Sequence, residues 1–186
     1  MPNAVSKLFA VILSALVMFY FVTYQNYKKQ EDLAYINTYN TVTEFVDNVR
    51  LKGFITPSMY EDFATSLHTG NEVLFTIDIE HQKKQYTPVY KDPSNPNSFT
   101  GEYEVQYTGV YWEQIKKTLF ESNVPYDKRI YKLENGDFFN VYVENKTKFK
   151  STMLFDFLTG GPGSDGPEIA FPYGGMVQNQ DWNDIN

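Results

Sequence analysis

Polar and apolar residues divide this chain into two regimes. Residues 8–27, LFAVILSALVMFYFVTYQNY, carry no charge, and as far as Tyr24 their only polar side-chain groups are Ser14, Thr23 and tyrosine hydroxyls. About 20 mainly apolar helical residues span a bilayer's hydrocarbon core, a length this run meets when Tyr20 and Tyr24 rest at the headgroup level. The pattern predicts a transmembrane anchor over residues 1–27. Its inserting side chains are Leu8, Val11, Leu13, Leu16, Val17, Phe19 and Phe21, and residues 8–24 meet the lipid bilayer.

Beyond the anchor the period changes. Tyr35, Tyr39, Val42, Val46 and Val49 recur at spacings of four and three, with Asn37, Asn40, Glu44, Asp47 and Arg50 between them, as on an amphipathic helix. This stripe is expected to dock the helix on its own domain or on a partner. No Pro or Gly interrupts Ala4 to Lys52, so anchor and amphipathic helix (28–53) are expected to form one rod, about 70 Å long at 1.5 Å per residue. Gly53 ends it.

The remainder, 54–186, reads as an α+β head with a loose C-terminal tail. Thr56-Pro57 caps a helix carrying Met59, Phe63 and Leu67 and closing at Gly70. Val73, Phe75, Ile77 and Ile79 alternate with polar residues as a half-buried strand. Gln85–Tyr90 is expected as a second strand, Lys91–Gly101 as a loop, and Tyr103, Val105 and Tyr107 as a third strand. Trp112, Ile115 and Leu119 return to helical spacing. Asn135-Gly136 predicts a hairpin joining 130–134 to 137–144, with Phe139, Val141 and Val143 facing inward. A last helix covers about 148–159 with Phe149, Met153 and Phe157, and stops at Gly160. A short strand follows at Glu168–Phe171. Pro172 limits it, and Tyr173-Gly174-Gly175 reads as a turn.

Composition then narrows the class. About 160 residues beyond the anchor suffice for one domain, with 15 Tyr and 15 Phe to fill its core. A formal charge of -7 argues against a nucleic-acid partner, which needs clustered Lys and Arg. The absence of cysteine removes disulfides, thiolate catalysis and thiolate metal sites. Lys7 ahead of the apolar run also suits a secretory leader, but the bulky residues from Met18 to Tyr24 make a poor cleavage site, so an uncleaved anchor is expected. Lys28 and Lys29 nearly balance the amino terminus and Lys7, and an exported head is expected although the charge rule does not decide it.

No motif points to catalysis. GGPGSDG lacks the Lys-Ser/Thr of a phosphate loop, and its prolines remove backbone donors. His68 and His81 have no partner at ligand spacing, so solvated or hydrogen-bonded roles are expected. Asp78 and Glu80 share a strand face, and Asp181, Asn183 and Asp184 make an acidic tail, but neither matches a calcium loop. Asn145-Lys146-Thr147 fits a glycosylation sequon, to which no weight is given. No catalytic residue, cofactor or metal is expected.

An apolar N-terminal helix, its amphipathic continuation and an acidic head on an antiparallel sheet together resemble pilin-like and pseudopilin-like subunits of type IV and tight-adherence pilus systems. The phrases ITPSMYEDF at 55–63, GEYEVQY at 101–107 and PYGGMV at 172–177 look like those of uncharacterised single-anchor proteins of Gram-positive bacteria associated with such systems. The chain departs from the pilin pattern in having only Ala4 and Ser6 as small residues near a processing position and no Glu before Glu31. The resemblance implies a non-catalytic structural or accessory subunit of a pilus-like or secretion assembly at the cell surface, associating with itself or with other membrane subunits. The alternative expectation is a membrane-tethered ligand- or peptide-binding module with an aromatic cleft gated by the 91–101 loop. An anchored hydrolase ranks last.

Overall fold

The structure, a computed structural model, describes residues 4–69, 73–121, 123–161 and 169–178. Helix α1 (Ala4–Lys52) is a single unbroken element of 49 residues, with no hinge at Gln25-Asn26. It stops where expected. Gly53 adopts φ 73° and its N–H donates to the Val49 carbonyl at 2.8 Å, the left-handed cap that glycine accepts without a Cβ clash. Strand β1 (Phe54–Ile55) and helix α2 (Pro57–Thr69) follow. Thr56 Oγ1 accepts from the Met59 N–H at 3.2 Å, as an N-cap before a first-turn proline should.

The head is α+β. Strands β2 (Phe75–Tyr90) and β3 (Phe99–Tyr111) form a long hairpin, then α3 (Trp112–Phe120), β4 (Tyr131–Lys132), β5 (Phe138–Asn145), α4 (Lys150–Thr159) and β6 (Ala170–Met176) complete the order. The main antiparallel sheet runs β3-β2-β5-β6, and β1 and β4 make a separate two-stranded pair. Gly70, most of the GGPGSDGP loop and the acidic tail lie outside the described residues.

The inner face of the main sheet packs on the second half of α1. Ile79, Phe139, Val141 and Val143 are buried beside Val42, Phe45, Val46 and Val49, and Phe45 stacks on Phe63 of α2 at 4.2 Å. Tyr35 and Tyr39 lie against Phe171, Tyr173 donates to Asp47 at 3.3 Å, and Arg50 Nε donates to the Met176 carbonyl at 3.0 Å. Helix α1 and β6 therefore run side by side in the same direction. The Phe75–Asn145–Ala170 end of the sheet faces the apolar half of α1, and the Gln82–Phe138–Met176 end lies away from it.

Three sequence expectations are corrected. The two strands expected at 73–80 and 85–90 are one strand, β2, of 16 residues. Its polar HQKKQ run is accommodated because beyond Gln82 it pairs only with β3 and leaves the core behind. Residues 91–98 alone connect β2 to β3, since Phe99–Gly101 already belong to β3.

Asn135-Gly136 makes a turn, with the Asp137 N–H donating to the Glu134 carbonyl at 3.1 Å, but not a hairpin. Strand β4 pairs with β1, and both edges of β5 are occupied by β2 and β6. The third correction is β6, which continues through Pro172, Tyr173, Gly174 and Gly175 where a turn was expected. Pro172 is tolerated because an edge strand needs ladder partners on one side only. A Cβ at Gly174 would meet the Phe139 carbonyl at 2.6 Å, and one at Gly175 the Arg50 guanidinium at 2.7 Å. These glycines let β6 approach β5 and α1.

Candidate functional site

The first half of α1 buries nothing on the head. Leu8, Val11, Leu13, Leu16, Val17, Phe19 and Phe21 are all more than half exposed, and none of the apolar window of α1 is buried. Among the described residues one helix is long and apolar enough to cross a membrane, a property that a single-pass anchor and a secretion signal share. It is not packed as a core helix.

The second half of α1 carries the stripe that meets the head. Val42, Val46 and Val49 are fully buried, whereas Tyr35 and Tyr39 are half exposed at the stripe's border. Ala34, Thr38 and Phe45 share the buried line, and the sequence reading passed over them. Ala34 and Thr38 are small or polar, so hydropathy spacing ranks the neighbouring tyrosines above them. Small side chains at these positions suit a close approach of the C-terminal elements of the head.

Among the described residues no element covers the outer face of the sheet. A cleft of about 590 Å³ lies between Asp78 and Glu80 of β2, Asn140 and Tyr142 of β5, Pro172 of β6 and the Tyr111-Trp112 corner. Asp78 and Glu80 do share a face, as their spacing implied, and Asn140 donates to Glu80 at 3.4 Å. Rings line the same face outward along the hairpin, with Tyr107 against Phe138 at 5.3 Å and the Lys84 ammonium 4.8 Å from the Tyr86 ring. Where β2 and β3 pair only with each other, they project as a two-stranded arm beyond the end of β5. The expected gating loop sits at the tip of this arm, about ten residues of β2 away from the cleft, which is roughly 30 Å.

His81, expected in a solvated or hydrogen-bonded role, is buried. It lies inside β2, 3% exposed, with Nε2 at 2.8 Å from Asp137 Oδ2 and Nδ1 at 2.8 Å from the Tyr131 hydroxyl. Asp137, 1% exposed, also accepts from the Lys84 and Glu134 backbone N–H groups, each at 2.8 Å. Nε2 of His81 faces the Asp137 carboxylate, which only accepts, so this nitrogen donates, and Nδ1 meets the Tyr131 hydroxyl. Burial, then the charge of Asp137, pushes the Tyr131 hydroxyl up to about 12. The trio joins side chains from three segments, β2, β4 and the Asn-Gly turn. It clamps the Asn-Gly turn and β4 to β2, which is a hydrogen-bonded structural role.

Asn145 is equally committed. Its Oδ1 accepts from the Ile169 N–H at 2.7 Å and its Nδ2 donates to the Thr147 carbonyl at 2.9 Å, so the sequon side chain is a buried strut between β5 and β6. Among the described residues no cluster of His, Asp and Glu is placed to hold a metal ion. The chain matches no family model, no curated protein and no solved structure.

Proposed function

We propose that this protein is a single-pass membrane protein whose α+β head is exported, acting as a structural or accessory subunit of a pilus-like or secretion-associated surface assembly. One observation carries the reading: α1 is continuous, membrane-length and uncovered in its first half, yet forms the spine of the head's core in its second. Such a rod couples any movement or packing of the membrane segment directly to the head, with no flexible joint between them. Exposed apolar positions such as Leu13, Leu16 and Val17 would contact lipid in the membrane and neighbouring helices after assembly.

The test compares the full chain with one starting at Gln30, after expression in a bacterial host. Full-length protein resisting salt and alkaline extraction, and photo-crosslinking from Val17 to other membrane subunits or to itself, supports the reading. Release of the full chain by salt alone overturns it.

The sheet-face cleft favours a second reading, a tethered ligand- or peptide-binding module. Its lining of aromatic rings and a few polar groups is the usual composition of a binding site. That reading expects the chain starting at Gln30 to retain ligand affinity, with Tyr142→Ala and Trp112→Ala weakening it. An assembly subunit loses its partners with the helix.

A further inference from the structure

Helix α4 is apolar in a way its packing does not explain. Of its ten residues, Met153, Leu154, Phe155, Phe157 and Leu158 are large and apolar and spread over more than half of its circumference, with Thr152, Asp156 and Thr159 on the remaining face. An apolar surface of this breadth is ordinarily covered by protein or lipid. Here Met153, Phe155 and Leu158 are more than half exposed and Phe157 is 83% exposed. No other part of the described head surface concentrates large apolar side chains so densely along the sequence.

The fold says what lies nearby. Ser151, fully buried in the first turn of α4, donates to Glu31 of α1, and the Lys150 ammonium stands 6.0 Å from the Tyr27 ring. Tyr27 and Glu31 lie three and seven residues beyond Tyr24, the end of the apolar run, which is about 5–10 Å along the helix axis. The sheet end facing α4 is the anchor-side end, where the Lys146 N–H donates to the Leu74 carbonyl at 2.7 Å and Leu74 itself is exposed. Lys29, Lys146 and Lys150 are exposed at the same level, although the chain as a whole is acidic. Interfacial helices bury their apolar side about 5–10 Å into the headgroup region, with lysines beside them.

We infer that α4 is a second membrane contact: a short interfacial helix that lays Phe155, Phe157 and Leu158 into the headgroup and upper acyl layer beside the anchor. The inference rests on reading α1 as the membrane anchor. Two contacts on one rigid body fix the tilt of the head on the bilayer, which a single helix leaves open. Drawing the helix out of the membrane during assembly would expose α4 to water at the same time.

The chain has no cysteine, so a single introduced one carries a unique environment-sensitive fluorophore. Full-length Phe157→Cys and, separately, Leu158→Cys proteins are labelled and reconstituted in phosphatidylcholine–phosphatidylglycerol vesicles. Val17→Cys, read with lipids spin-labelled deep in the acyl chain, serves as the buried reference and Tyr86→Cys, on the distal arm, as the exposed one. The expected result is blue-shifted emission at both α4 positions, quenched by lipids spin-labelled near the headgroup, with neither effect at Tyr86→Cys.

Quenching at Val17→Cys with none at the two α4 positions overturns the inference and leaves the anchor standing. Blue-shifted but unquenched α4 labels, with disulfide crosslinking between copies through the unlabelled cysteines, also overturn it and identify a second copy as the occupant. An unquenched label at Val17→Cys overturns the anchor reading and this inference together.

Discussion

At the scale of residues, the buried His81–Asp137–Tyr131 trio shows how a polar network can tie a turn to a distant strand. Asp137→Ala leaves His81 Nε2 and the Lys84 and Glu134 N–H groups without their acceptor. Leaving buried donors unsatisfied in this way is expected to cost about 1–3 kcal/mol for each, read from the urea midpoint in detergent. The raised hydroxyl of Tyr131 gives a signed pH dependence. Because its folded value, about 12, lies above the ordinary value of 10.0, the stability it contributes is complete below pH 10 and lost as pH rises towards 12. Thermal midpoints should fall across that window, and less steeply in Tyr131→Phe. Gly174→Ala forces a Cβ against the Phe139 carbonyl, and overpacking of this kind is expected to destabilise by about 1–3 kcal/mol. The parity of β2 did carry a signal for His81, which continues the inward series Phe75, Ile77, Ile79. Its partners come from 50 and 56 residues away, beyond the reach of any local pattern.

At the scale of elements, strong local signals and competition for strand edges gave different outcomes. The continuity of α1 was legible because nothing in 49 residues opposes helix and Gly53 stops it. The Asn135-Gly136 turn was legible, but its hairpin was not. Which strands flank β5 depends on β2 and β6 reaching it first, and that is a matter of long-range packing. Two-stranded ribbons are marginally stable without a packed face. Amide exchange should therefore be rapid over 83–90 and 99–108, where β2 and β3 have only each other. It should be slow over 75–82 and 138–145, and limited proteolysis should cut first within 91–98. Equal protection along the whole of β2 would mean that the arm is covered by something else.

At the scale of the molecule, the burial stripe on α1 begins at Ala34, and Glu31 holds α4 through Ser151. A chain starting at Gln30 thus keeps the buried contacts of the helix with the head, while losing the approach of Lys150 to Tyr27. It is expected to be water-soluble and to match the full chain's thermal midpoint closely, as followed by near-ultraviolet circular dichroism. A large drop would place part of the head's stability in residues 4–29. The sequence by itself determined the elements whose causes are local: the uncharged run at 8–27, the helix that continues from it, the inward parity of Phe139, Val141 and Val143, and the glycine stops. Propensity and hydrophobic period act within a few residues, so they can be read from a single strand of text. Only the tertiary structure decided that β2 is one strand, that β6 passes through Gly174 and Gly175, that His81 is buried, and that α4 lies beside the apolar half of α1. Each of those depends on which distant surface reaches a backbone edge or an apolar face, and burial pairs residues by position in space.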